Sequence, residues 1–138
     1  MARLWSHTSI TLALALLTAC SPQPSAQEQR TAQETTALAP LKAKYPDIVV
    51  AFAPKGTRLD ISIDANGYIS TDDDVVTAFK ARALQDWRSA WIAAHPHQHA
   101  TLTVQLTDFI GRTWVTEHVK AKMTRVHRRR GSGSVQRC

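Results

Sequence analysis

The stretch that decides the fold runs from Thr71 to Pro96 and reads TDDDVVTAFKARALQDWRSAWIAAHP. It opens with a hydroxyl and three carboxylates, which cap free N–H groups and offset the positive end of a helix dipole. Apolar side chains then recur every three or four residues and form one stripe: Val76, Phe79, Ala83, Trp87, Ala90, Trp91 and Ala94. The pattern predicts one long amphipathic helix that ends at His95, because the residue before a proline disfavours helical backbone. We expect Phe79, Trp87 and Trp91 to pack this helix onto a sheet.

The segments before the helix predict extended structure. Residues 47–53 (DIVVAFA) are rich in β-branched residues and lie between two prolines, which is typical of a strand. Residues 58–64 alternate between apolar and polar side chains. Residues 65–67 (ANG) tolerate positive φ, and residues 68–70 resume an extended pattern. We therefore predict a strand followed by a β-hairpin.

The segments after the helix predict two more strands. Residues 100–107 (ATLTVQLT) alternate cleanly, and residues 108–111 (DFIG) indicate a turn. Residues 112–119 favour a last strand, although a helical spacing leaves a helix as the alternative: Val115, Val119, Met123 and Val126. The predicted domain, residues 41–119, is α+β. It is a small antiparallel sheet in the order β-ββ-α-β-β with the long helix on one face.

The N-terminus has the three-part layout of a secretory signal, with a basic start at Arg3, an apolar run over residues 10–17 and small residues before Cys20. At about 1.5 Å per residue, that run is far shorter than the roughly 30 Å hydrocarbon core of a bilayer. The motif Leu17-Thr18-Ala19-Cys20 resembles the lipobox of bacterial lipoproteins. The resemblance implies that residues 1–19 are a signal peptide and that Cys20 is lipidated. An ordinary secretory signal, in which Cys20 is incidental, is the alternative.

The same resemblance implies a location. Ser21 follows the cysteine, whereas an aspartate there would resemble the signal that retains lipoproteins in the inner membrane. In a Gram-negative cell, we therefore expect the chain to be anchored in the outer membrane and to face the periplasm. Several acyl chains hold a protein stably at a membrane.

Composition divides the mature chain into three parts. Residues 20–40 carry few large apolar side chains, so we expect a flexible tether after the lipidated cysteine, with a transient helix over residues 26–37 as the alternative. Residues 41–119 are near neutral, with eight basic and nine acidic residues. Residues 120–138 contain seven basic residues and no acid, which predicts a disordered basic tail.

Two motifs indicate candidate metal sites. His95, His97 and His99 alternate with other residues, so an extended backbone would direct the three imidazoles the same way, as zinc or copper sites require. A solvated loop is the simpler interpretation. Residues 62–73 partly match a calcium-binding EF-hand loop, but Ser62 and Asp73 depart from its first and twelfth positions. The predicted hairpin explains the same residues without a metal.

The basic tail indicates contact with anions through Arg125, Arg128, Arg129 and Arg130. Anionic lipid headgroups are the candidate partner, and a merely solvated tail is the alternative; an envelope location argues against nucleic acid. Cys138 has no disulfide partner within the chain if Cys20 is lipidated. The sequence contains no motif for a catalytic nucleophile. We therefore expect no enzyme activity and no cofactor beyond the lipid.

The layout of lipidated cysteine, tether and small α+β domain resembles accessory lipoproteins of envelope machines, including those of type IV secretion and conjugation. The hairpin–helix–strand order is also similar to small periplasmic domains of the Tol and Ton systems. These resemblances imply a non-enzymatic component that binds other envelope proteins. One alternative is a periplasmic lipoprotein that binds a metal or another ligand through His95, His97 and His99, and another is an inhibitor or immunity protein.

Overall fold

A computed structural model describes residues 22–122 of the chain. The elements follow in the order α1 (Ala26–Lys44), β1 (Val49–Lys55), β2 (Arg58–Ile63), α2 (Ala65–Ser70), α3 (Asp73–Ala94), β3 (Ala100–Thr107) and β4 (Thr113–Ala121). The strands form one sheet in the order β1-β2-β3-β4. Helix α1 packs against α3 and β1, and α3 packs against β3 and β4. The predicted α+β class, with a long helix on a sheet, is confirmed.

The sheet is mixed, whereas the sequence predicted an antiparallel one. Strands β1–β2 and β3–β4 are antiparallel pairs, but β2 and β3 run parallel. A parallel pair needs a crossover connection, which α2 and α3 supply. The face toward the helices buries Leu59, Ile61, Ile63, Leu102, Val104 and Leu106. The opposite face of β3 and β4 is mainly polar and includes Thr101, Thr103, Gln105, Thr116 and His118.

Helix α1 is the largest departure from the expected organisation. Residues 26–40, expected to belong to a flexible tether, form most of this helix. A capping box starts it: the Ser25 hydroxyl accepts from the Glu28 N–H, and the Glu28 side chain accepts from the Ser25 N–H. Leu38 and Leu41 are fully buried. The tether prediction was wrong for this part. A short apolar stripe is enough to hold a helix in place when a sheet and a second helix pack against it.

The segment after β2 is also different from its predicted form. Residues 65–67, expected to turn a hairpin into residues 68–70, begin the short helix α2. The Asp64 carboxylate caps that helix by accepting a hydrogen bond of 2.7 Å from the Gly67 N–H. The first hairpin instead joins β1 to β2, and Gly56 supplies the positive φ of 63° that its two-residue turn requires. Strand β4 forms as the sequence favoured.

The two ends of the domain differ in what they contain. Helices α1 and α3 run in opposite directions, since Glu34 meets His95 at one end and the Tyr45 ring meets the Phe79 ring at the other. We call the end at which Glu34 meets His95 the proximal end. It contains the start of α1, the Gly56 turn and the end of β4. The distal end holds α2, the start of α3 and residues 108–112. Ala121 pairs with Ala100, so the described chain enters and leaves at the proximal end.

Candidate functional site

The histidine loop does not gather its three imidazoles into one site. His95 ends α3 and stacks on the Trp91 ring, with centroids 4.4 Å apart. Its Nδ1 lies 3.0 Å from the Trp91 carbonyl oxygen, and a carbonyl only accepts, so Nδ1 carries the proton of that hydrogen bond. His97 has a left-handed φ of 75°. Within residues 22–122, no group of three or more His, Cys, Asp or Glu side chains is placed to hold a metal ion.

His95 instead faces a buried carboxyl group from α1. Its Nδ1 lies 3.4 Å from Oε1 of Glu34, whose side chain is 4% exposed. That oxygen makes no hydrogen bond. Burial raises the pKa of Glu34 from 4.5 to about 7, although the positive charge of Arg30 opposes the shift. The Glu34 carboxyl therefore changes its charge near neutral pH.

An open cleft lies beside this pair at the proximal end. It has a volume of about 230 Å³ and is lined by Gln27, Arg30, Thr31, Glu34, Gly56 and His95. The residues bring a carboxyl, an imidazole and a guanidinium together, so the cleft can receive a small polar ligand. Sequence reasoning missed it because Glu34 lay in the expected tether. The spacing of Glu34, Leu38 and Leu41 on one helix face was the available signal.

At the distal end, the turn between β3 and β4 is built around the carboxylate of Asp108. This carboxylate accepts hydrogen bonds from the N–H groups of Ile110 (3.1 Å) and Arg112 (2.9 Å). It also accepts from Arg112 Nε (2.9 Å) and Trp114 Nε1 (3.0 Å). Burial raises the pKa of Asp108, but the hydrogen bonds from Trp114 and Arg112 and the charge of Arg112 outweigh it and lower the pKa to about 2. The ionised carboxylate therefore holds the turn in one conformation.

This ordered turn presents large apolar side chains to solvent. Phe109 is 90% exposed and Ile110 is 58% exposed. Ile69 of α2, at the same end, is 67% exposed. We call Ile69, Phe109 and Ile110 the apolar tip. Tyr68 and Trp114 connect its two segments through an edge-to-face contact with centroids 5.8 Å apart. The sequence predicted only a turn at residues 108–111 and did not identify this surface.

Exposed carboxylates belong to the same end of the domain: Asp47, Asp64, Asp72, Asp73 and Asp74. Burial raises the pKa of Tyr68, and the negative charge of Asp73 raises it further, so Asp73 lies near the base of the apolar tip. Among the cations at this end, Arg112 pairs with the buried Asp108. Lys42 donates to the Val50 carbonyl, and Lys44 lies over the Tyr45 ring. The distal end thus combines apolar side chains with an excess of acid.

The remaining residues singled out from the sequence fall into two groups. Phe79, Trp87 and Trp91 are buried in the core. Both indoles donate to the β1–β2 turn, Trp87 to the Thr57 carbonyl and Trp91 to the Gly56 carbonyl. The second group lies outside the described residues: Cys20, Arg125, Arg128, Arg129, Arg130 and Cys138.

Comparisons with protein-family models, curated proteins and solved structures found no match to this chain. The helices between residues 22 and 122 include none with the length and hydropathy needed to cross a bilayer.

Proposed function

We propose that this chain is an envelope lipoprotein, anchored through Cys20, whose domain is a non-enzymatic component that binds other envelope proteins. The observation that carries the proposal is the separation of the two ends. The described chain begins and ends at the proximal end, whereas the apolar tip lies at the distal end. Lipid attachment at one end would leave the other free to contact a partner.

The short distance along the chain from Cys20 to α1 supports this arrangement. Five residues separate Cys20 from Ala26, where the helix begins. At up to about 3.6 Å per residue, this segment limits the gap between the membrane and the proximal end to about 20 Å. Helix α1 has 19 residues and is therefore about 28 Å long, so an upright domain carries the apolar tip well beyond the lipid headgroups.

The basic tail would strengthen the same orientation. Strand β4 ends at Ala121, and the sequence continues from the proximal end through Lys122, Arg125 and residues 128–130. Each such cation near an anionic membrane surface contributes about 1 kcal/mol, and the attraction falls off within a Debye length. We propose anionic lipid headgroups of the outer membrane, on its periplasmic side, as the partner of this tail.

Fractionation of cells that express the full chain tests the anchor. The unmodified chain should incorporate labelled fatty acid and sediment with outer membranes. A Cys20→Ala chain should lose the label and leave the membrane fraction. A Ser21→Asp chain should keep the label and move to the inner membrane. Lipid anchoring would be contradicted if the Cys20→Ala chain lost its signal peptide as an ordinary secreted protein does and still remained in the outer membrane.

The cleft beside Glu34 and His95 favours a second candidate, a lipoprotein that binds a small ligand or metal ion in that cleft. The unbonded, buried Glu34 oxygen beside an imidazole is the specific observation. Isothermal titration with zinc and with copper tests it, using His95→Ala against the matched loop variant His97→Ala. No heat of binding with the unmodified chain rejects the metal form of this candidate.

A further inference from the structure

We propose that the apolar tip and the carboxylates around it bind a segment of a partner protein that is both apolar and basic. This inference rests on the proposed function, because it names the chemistry of the partner in the assembly. Neighbouring apolar side chains that are exposed together mark contact sites, whereas single exposed apolar residues are common on any surface. Phe109, at 90% exposure, is the most exposed large apolar side chain in the described part of the chain.

The conformation of the tip is already set before a partner arrives. Four hydrogen bonds from residues 110–114 converge on the Asp108 carboxylate, and the Trp114 ring is held between that carboxylate and Tyr68. Ordering a loop on binding normally opposes association. A turn that is fixed in the free protein avoids much of that cost. Phe109 can then act as an aromatic anchor that enters a pocket on the partner.

Charge complementarity indicates the sign of the partner's surface. The distal end exposes Asp47, Asp64 and residues 72–74, while Arg112 is engaged by the buried Asp108. A partner segment with Lys or Arg around an apolar centre would meet opposite charge at its rim. Such complementarity raises the association rate and sets partner choice.

The same charges disfavour two other occupants. A membrane surface with anionic lipids would repel the carboxylates, and residues 22–122 begin and end at the opposite end of the domain from the tip. Binding of a second copy of this chain, tip to tip, would bring the carboxylates of the two copies together, and these would repel each other. Both remain outcomes that the experiment can detect.

Site-specific photo-crosslinking of the full chain in cells tests the proposal. A benzophenone amino acid replaces Phe109 in one chain and Thr116, on the polar sheet face, in the control. We expect a protein adduct at position 109 alone, attached to a partner segment rich in Lys or Arg and apolar residues. Asp73→Asn with Asp74→Asn should reduce that adduct severalfold. Any of four results would overturn the proposal: equal adducts at both positions, attachment to an acidic segment, an adduct with phospholipid, or an adduct with a second copy of this chain.

A titration of the purified chain in neutral detergent measures the same interaction directly. The probes are two synthetic peptides of equal length and leucine content, one with lysines and one with glutamates. We expect the lysine peptide alone to bind, and Phe109→Ser to weaken it about tenfold. Equal affinities for both peptides, or no effect of Phe109→Ser, would reject the inference. Because this measurement does not need Cys20 to be lipidated, its failure is distinguishable from failure of the membrane-anchor proposal.

Discussion

The Nδ1 atom of His95 lies 3.4 Å from Oε1 of Glu34, and this contact joins the end of α3 to the middle of α1. The two helices are far apart in sequence, and the sequence pattern that contains His95 gave no indication of Glu34. The contact brings two titratable groups into a buried environment, with Arg30 nearby on α1. The stability of the α1–α3 pair therefore depends on the protonation of Glu34.

We expect the stability of the domain to fall between pH 4.5 and pH 7 through Glu34. Its pKa is raised from 4.5 to about 7 in the folded state, so folding favours the protonated carboxyl. This stabilisation is fully present below pH 4.5 and is lost as the pH rises through about 7. Glu34→Gln keeps the shape and removes the charge, so the variant should gain stability relative to the unmodified chain at pH 8.

Urea unfolding followed at several pH values measures this difference. His95 and Arg30 face Glu34, so each pH profile is compared between the unmodified chain and Glu34→Gln with both neighbours intact. Asp47→Asn, at an exposed carboxylate remote from Glu34, is the control and should leave the profile unchanged. A constant difference between the unmodified chain and Glu34→Gln across this range would contradict the prediction.

We expect Asp108→Asn to loosen the β3–β4 turn. An amide offers one acceptor oxygen where the carboxylate has two, and its NH₂ group would face donors from Arg112 and Trp114. Amide hydrogen exchange at Ile110 and Arg112 should accelerate. Asp47→Asn, an exposed change at the same end, is the control. Unchanged exchange in Asp108→Asn would show that the carboxylate does not hold the turn.

The pKa of Asp108 also predicts an acid limit for that turn. Its folded-state value of about 2 lies below the ordinary 3.8, so the stabilisation is present above pH 3.8 and is lost as the pH falls toward 2.

The long helix was predictable because Phe79, Trp87 and Trp91 are large and regularly spaced within one continuous segment. The α+β class follows from that stripe and from the alternating strands. The parallel pairing of β2 with β3 was not predictable, because alternation shows which face a residue takes but not which strand lies beside it. Local composition likewise concealed α1, whose burial depends on partners that follow it in the chain.

The candidate sites were less predictable than the fold for a similar reason. The sequence pointed to His95, His97 and His99 because they are close in sequence, but the structure pairs His95 with the distant Glu34. At residues 64–67, the Asp-Ala-Asn-Gly run fits both a hairpin turn and a capped helix start. The helix start forms because Gly67 packs against the loop before β1, at the Asp47 carbonyl.

We expect Gly67→Ala to destabilise the domain. A Cβ atom at this position would overlap the carbonyl oxygen of Asp47, and neither backbone segment can move freely. Overpacking of this kind costs about 1–3 kcal/mol. Urea unfolding of Gly67→Ala is compared with Asn66→Ala, an exposed neighbour in the same helix, which should change stability much less. Equal stability of the two variants would show that the close approach of α2 to Asp47 is not needed.

The last prediction concerns α1, where the sequence indicated a tether and the structure has a packed helix. Leu38 is fully buried between this helix and the rest of the core, so Leu38→Ala should destabilise the whole domain by about 2–5 kcal/mol. Thr35→Ala, on the exposed side one turn earlier, should change stability by less than about 0.5 kcal/mol. The free energy of unfolding from urea titration, followed by the fluorescence of the core residues Trp87 and Trp91, measures both variants. If Leu38→Ala matched Thr35→Ala, residues 26–40 would act as a tether after all, and the short link between the lipid and the domain would no longer hold.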